Sequence, residues 1–304
     1  MELTAKAWYA RAQPLGVRNM GTAIKQFSDL FKLRIGIVIS FTALAGVAVT
    51  PGLLSGWKIV LLGLAVLISS ASAGAFNQFV ERDIDVLMAR TRKRPFVTGT
   101  LQHGPFWLCV ILVMLAGSVA AAAAALNAVS ALFVFLGAFF YAVVYTVWLK
   151  RRTWMNIVIG GLAGSFAVLA GAAAVNPQLG AQAWILAAIL FLWTPPHFWS
   201  LAIAYHKDYD AAKVPMLPVV VGDERAARVI FGSTVLLVAT SLLPVFYGMG
   251  WIYFLGAASG GAYFLVKSVQ LMRMPNRATA MSCFHASLMQ LSLLLTAAMI
   301  DASL

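Results

Sequence analysis

Charge is scarce in this chain, and cysteine is scarcer. Asp, Glu, Lys and Arg together make up 11% of the 304 residues, against 62% hydrophobic ones, a ratio that a water-soluble core of this size neither needs nor could hide. A soluble globular protein is thereby excluded, and lipid becomes the solvent for most of the chain. The two cysteines, Cys109 and Cys283, lie in or beside apolar stretches without CxxC or Cys/His spacing. They read as inert packing residues rather than metal ligands. Acidic residues number ten against 22 Lys and Arg, a net charge of +12. That excess does not imply nucleic acid as a partner, because no soluble domain displays it; beside long apolar runs, basic residues report membrane orientation. A cleavable signal peptide is missing as well. The first 30 residues are basic and mixed, without a short apolar core and a small-residue cleavage site, so the first apolar run is expected to stay as an anchor.

What is present is apolar length. Nine stretches suit a helix crossing the hydrocarbon core: approximately 35–51, 57–77, 105–123, 126–148, 154–175, 182–203, 229–247, 250–268 and 283–300. The fold class expected is an all-α, polytopic bundle of nine transmembrane helices. It divides into a cytoplasmic N-terminal segment, 1–34, and a single transmembrane domain, 35–304. With the N-terminus cytoplasmic, 21 of the 22 Lys and Arg fall on the cytoplasmic side and only Lys58 on the other, as the positive-inside rule requires. A missed or false span in the middle would invert every later loop, so the alternation itself supports nine. The inside loops 81–104 and 204–228 are long and hold seven of the ten acidic residues, and binding groups concentrate in such connections.

The first acidic cluster runs from Asn77 through Glu81 and Asp83 to Asp85, followed by Arg90, Arg92, Lys93 and Arg94. Asn77, Glu81 and Asp85 are spaced by four, so a helix continuing out of the second span places them on one face. Two like charges at that spacing repel unless a cation joins them, and Mg²⁺ takes such oxygens together with substrate phosphates. Asp83 points elsewhere and is expected to pair with a nearby Arg. Taken alone, the cluster reads equally well as a solvated helix end. The second cluster, Lys207, Asp208 and Asp210, lies at the cytoplasmic end of span six, level with the first. Opposed across a bundle, the two would hold Mg²⁺ bridging a diphosphate, with Arg90, Arg94, Lys150 and Lys207 neutralising the phosphates. Such a site stabilises a departing pyrophosphate, and the allylic cation left behind needs an apolar, aromatic-lined chamber. The chain has 36 Phe, Trp and Tyr for it.

The pattern N-x₃-(D/E)-x₃-D after one span, with a Y-x-K-D-Y segment four spans later, resembles the UbiA superfamily of intramembrane aromatic prenyltransferases, and within it the haem-using branch. The stretches that carry the resemblance are Asn77–Arg94, Tyr145–Gly164, Trp193–His197 and Lys207–Pro218, in the expected order across about 35–220. The resemblance implies transfer of a farnesyl group from farnesyl diphosphate to a vinyl group of haem b, assisted by Mg²⁺. Asn77, Glu81 and Asp85 would belong to the first metal and diphosphate motif, and Lys207, Asp208 and Asp210 to the second. His197 matches a position of the haem-using branch, eleven residues before Asp208 and deeper in the chamber; a role as iron ligand or base stands against that of a buried His bonded to a neighbouring helix. Glu81 replaces the Asp of many relatives, Leu33 stands where a Pro is common, and Ala167 and Val168 replace a Pro pair that would kink span five. Pro195 and Pro196 are expected to kink span six. His103, His206 and His285 read as surface residues or as having no partner.

Two other readings compete. One keeps the chemistry but changes the acceptor to a quinone precursor, a chlorin or a lipid alcohol. The other, a secondary transporter, is disfavoured because the acidic residues gather at the rim rather than the midplane. The branch resembled implies a bacterial inner membrane, contact with membrane lipid, and an oxidase-assembly partner such as a haem A synthase.

Overall fold

The structure, a computed structural model, describes residues 20–304. Lys6, Arg11 and Arg18, counted above for orientation, lie outside the described residues, as does most of the 1–34 segment. Among the described residues there is no strand. The helices are α1 (Met20–Leu30), α2 (Leu33–Ala48), α3 (Gly56–Val80), α4 (Pro105–Ala125), α5 (Ala128–Leu149), α6 (Asn156–Val175), α7 (Ala181–Ala204), α8 (Asp223–Tyr247), α9 (Trp251–Arg273) and α10 (Arg277–Asp301). Eight of them, α3 to α10, are long and apolar enough to cross a membrane. The pair α1 and α2, bent by 53° at Phe31 and Lys32, supplies the ninth if it counts as one span.

The last span is a continuous helix of 25 residues that starts six residues earlier than hydropathy places it. A capping box explains the start: the Asn276 side chain accepts from the backbone N–H of Ala278 and Thr279, and the Thr279 hydroxyl accepts from the N–H of Asn276, so orphan donors of the first turn are satisfied. At the opposite membrane face, Asn127 caps α5 by accepting from Ser130 N–H at 2.9 Å and donates to the Ala173 carbonyl at 2.7 Å. Consecutive helices pack side by side from α2 to α10, and α10 returns to α2, closing a ring. Within the ring α2 crosses α6, and small residues set the distance. A Cβ at Gly46 would strike the Val168 carbonyl, and one at Gly171 the Ala43 carbonyl. Helices meet this closely in lipid only through residues without bulk. Val168, at the position of the absent Pro pair, thus lies in a buried run of α6, Leu162–Val175. Pro195 and Pro196 sit inside the single helix α7.

The outer surface is apolar, as lipid demands. Exposed Trp57, Trp184 and Trp251 lie near one edge of the bundle and Trp148 and Trp154 near the other, the interfacial positions that Trp prefers.

Candidate active site

The C-terminal end of α3 keeps its helical hydrogen bonding past Val80. Glu81 N–H donates to Asn77 O at 3.0 Å and Asp85 N–H to Glu81 O at 2.9 Å, so the Arg82–Asp85 turn continues the face on which Asn77, Glu81 and Asp85 stand. All three are buried, the two carboxylates completely. Buried carboxylates are tolerated only with partners. Lys150 Nζ donates to Glu81 Oε2 at 2.6 Å and Arg94 Nη1 to Asp85 Oδ2 at 2.5 Å. Each carboxylate retains one buried oxygen, Glu81 Oε1 and Asp85 Oδ1, with no hydrogen-bond partner among the described residues. Two unpartnered anionic oxygens on one face, ringed by cations, suit a divalent ion with a polyanion.

Asp83 faces the other way. Its carboxylate takes both Nη1 and Nη2 of Arg151, at 2.6 and 2.7 Å, in an exposed pair, the Arg partner that the sequence leaves unspecified. The two neighbours therefore titrate apart. Arg151's hydrogen bonds hold the Asp83 carboxyl below the usual carboxylate range, whereas burial pushes Asp85 up against the pull of Arg94.

Lys32 completes the cluster and escapes sequence reading. At the bend between α1 and α2 it adopts a left-handed conformation, φ 48° and ψ 42°, unusual for a side chain with a Cβ and a mark of functional sites. Its ammonium donates to Asn77 Oδ1 at 2.6 Å and to the Tyr141 hydroxyl at 2.7 Å. Gly74 leaves room for the stem: a Cβ there would lie 3.3 Å from Lys32 Cδ. Asn77 Nδ2 donates to the Thr146 hydroxyl at 3.1 Å.

Tyr141, Tyr145, Thr146 and Lys150 share a face because the second half of α5, Phe140–Leu149, is a π-helix. Lys150 N–H donates to the Tyr145 carbonyl five residues back, and the Thr146 hydroxyl donates to the Tyr141 carbonyl. Wide turns of this kind gather at functional sites. The Tyr141 and Tyr145 rings stack at 5.6 Å.

The second acidic segment forms a short helix, His206–Ala211, beyond α7. Its contact with the first cluster runs through tyrosines rather than carboxylates: Arg90 Nη2 approaches the Tyr209 hydroxyl at 3.4 Å, and the Arg90 guanidinium lies 6.0 Å from the Tyr205 ring. Tyr209 is buried, Asp208 half-buried, and Asp210 and Lys207 exposed. Among the described residues, no three acidic, His or Cys side chains come within reach of one metal ion. The structure thus brings together Asn77, Glu81 and Asp85 with Lys32, Arg94 and Lys150, and joins Arg90 to Tyr209; it does not add Asp208, Asp210 or Lys207 to that group.

His197 on α7 is buried, its Nδ1 2.6 Å from the Ser287 hydroxyl of α10. Trp193 and Phe284 stack on it at 4.1 and 4.4 Å, the environment of a His bonded to a neighbouring helix. The other histidines lie apart: His103 is exposed and stacked on Phe79, His206 pairs with Asp223 at 2.7 Å, and His285 is exposed on α10.

Comparison with known proteins places this geometry. The model of the UbiA prenyltransferase family matches residues 39–294. Protoheme IX farnesyltransferase 2 of Paramagnetospirillum magneticum is 55% identical over 93% of this chain and 98% of its own length. Protoheme IX farnesyltransferase of Gloeobacter violaceus is 40% identical over 94% of each. In fold, the chain is similar to a UbiA homologue from Aeropyrum pernix, with TM-score 0.72 and 21% identity over 90% and 99% of the two chains. It is also similar to one from Archaeoglobus fulgidus bound to DMAPP and Mg²⁺, with TM-score 0.65 and 17% identity over 88% and 99%. A ring of eight spanning helices, nine if α1 and α2 count as one span, with an Asn-Glu-Asp face at one rim and a match to the family model over most of the chain, makes this chain a member of the UbiA prenyltransferase family.

Proposed function

We propose that this protein transfers the farnesyl group of farnesyl diphosphate to a vinyl group of haem b, giving haem O and releasing pyrophosphate. The observation that carries the reading is the pair of buried, unpartnered oxygens Glu81 Oε1 and Asp85 Oδ1, flanked by Lys32, Arg94 and Lys150. Full-length similarity to relatives named protoheme IX farnesyltransferase supports the choice of acceptor. Asn77, Glu81 and Asp85 would hold Mg²⁺, which when bound supplies charge neutralisation to the diphosphate and its leaving group. Lys32, Arg94 and Lys150 form the cationic complement to the phosphate oxygens, and Arg90 and Lys207 extend it from the two loops. Asp208 and Asp210 approach the same substrate from the second segment.

In the reaction the C1–O bond of the prenyl diphosphate breaks and its electron pair leaves with pyrophosphate. The vinyl π electrons then form the new bond to C1, and the cation this leaves on the vinyl carbon next to the porphyrin ring takes up water and loses a proton, giving the hydroxyl of haem O. The stacked Tyr141 and Tyr145 offer ring faces to an allylic cation, and His197, between Trp193 and Phe284, would lie against the porphyrin.

The compartment proposed is a bacterial inner membrane, with the site on the cytoplasmic side and an enzyme acting on haem O as neighbour. Membranes carrying the protein, supplied with haem b, farnesyl diphosphate and Mg²⁺, should yield haem O in extracted pigments. Complete absence of that product, or farnesylation of a quinone precursor instead, rejects the acceptor.

A further inference from the structure

The cytoplasmic ends of α3 and α5 border a groove of about 530 Å³ whose lining includes neither Glu81 nor Asp85. Its polar edge carries Arg82, Arg151 and His103, all exposed, and its apolar wall carries Phe79, Val80 and Val147. The edge is cationic on balance, two guanidinium groups against the one carboxylate of Asp83. Arg82 makes no side-chain hydrogen bond or ion pair among the described residues. Arg151 uses Nη1 and Nη2 on Asp83, and a guanidinium has five N–H donors. The His103 ring lies flat on Phe79, with Nε2 3.2 Å from the Phe79 carbonyl. A carbonyl only accepts, so Nε2 carries the proton; Nδ1 then offers only a lone pair, and the donors to an anion are the two guanidinium groups.

We propose that this groove binds one anionic phospholipid of the cytoplasmic leaflet, its phosphate against Arg82 and Arg151 beside His103 and an acyl chain along Phe79, Val80 and Val147. Charge complementarity selects the headgroup: a phosphodiester in reach of two guanidinium groups gains charge-assisted hydrogen bonds, and basic clusters at this depth attract anionic lipid. The apolar wall directly below selects a ligand with a tail over a free anion. The site is independent of the farnesyl-transfer reading, yet it shares a wall with that site. Thr146 lines the groove and also receives the Asn77 amide, and Arg151 follows Lys150. A lipid seated here would brace the two helices whose inner sides hold the carboxylate face.

Native mass spectrometry of the full chain, released from neutral detergent and titrated with phosphatidylglycerol or phosphatidylcholine, tests this. One phosphatidylglycerol is expected to bind ahead of any phosphatidylcholine. The double variant Arg82→Ala, His103→Ala should weaken that first site roughly tenfold, the size of one charge-assisted bond, and Val147→Trp, which fills the slot, should also weaken it. Arg225→Ala, removing an exposed cytoplasmic cation elsewhere, should leave it unchanged. Equal loss in Arg225→Ala would mean diffuse attraction and overturn the proposal. So would unaltered binding in both groove variants, equal affinity for phosphatidylcholine, competition by glycerol phosphate at the affinity of the intact lipid, or binding of haem b that both groove variants weaken where phosphatidylglycerol fails to bind.

Discussion

Single residues carry the charge arrangement on which the proposed chemistry depends. Glu81→Gln and Asp85→Asn each keep size and one hydrogen-bond acceptor but remove an anionic oxygen. Each should lower farnesyl transfer by at least about a hundredfold, the scale of losing one preorganised electrostatic group. Insertion and the elution profile in detergent should be unchanged; activity within a few fold of wild type would remove that residue from the site. The acid titration separates the neighbours. Asp85, raised by burial, should take up its proton as pH falls at a higher value than an ordinary carboxyl, and Asp83, lowered by Arg151, at a lower one. The Asp83–Arg151 pair is accordingly expected to persist below the usual carboxylate range and to be lost only as pH falls through the lowered value. Infrared carboxyl bands assigned by Asp85→Asn and Asp83→Asn measure both, and the reverse order would refute the burial argument. Of these residues, Asn77, Glu81 and Asp85 were legible in the sequence because four-residue spacing survives any helical continuation. Lys32 was not, since a Lys beside a span carries an orientation signal whether or not it also folds inward. In the second segment the sequence draws attention to Asp208 and Asp210, but Tyr209 between them is the buried side chain that reaches Arg90.

At the level of elements, apolar length determined most helix positions, because a chain in lipid must satisfy its backbone within each span. What hydropathy could not register was local geometry. The π-turns of α5 leave no periodic trace, being as apolar as the α-turns before them, yet they set Tyr141, Tyr145 and Lys150 on one side. The first span, expected over 35–51, begins two residues earlier at Leu33, directly after the bend at Lys32, and ends three residues earlier at Ala48, ahead of Pro51, since the residue before a proline leaves the helical region. Contact between α2 and α6 depends on absent side chains, and this too is testable. Gly171→Leu drives a side chain into the Ala43 carbonyl and should destabilise the protein by about 1–3 kcal/mol, typical of overpacking. Gly164→Leu on the same helix, where a Cβ would meet nothing within 4 Å, should be near neutral. Thermal unfolding in one detergent compares them, and equal midpoints would show that the crossing tolerates bulk.

For the whole molecule, the asymmetry of Lys and Arg gives an orientation that thiol labelling checks. In a background lacking Cys109, Arg92→Cys should react with an impermeant maleimide only from the cytoplasmic side of sealed vesicles, and Gln178→Cys only from the other. Labelling of both from one side would break the alternation of spans. The pairing of each buried carboxylate with its own cation has a further consequence for the order of events. Three positive side chains around two negative ones leave the vestibule of the proposed site electropositive, so a bare divalent ion is repelled where a polyphosphate is drawn in. Magnesium should therefore enter as the companion of the isoprenoid donor: calorimetry is expected to detect little heat from the ion by itself and a strong signal once a non-hydrolysable donor analogue is present. Tight uptake of the lone ion would contradict that sequence.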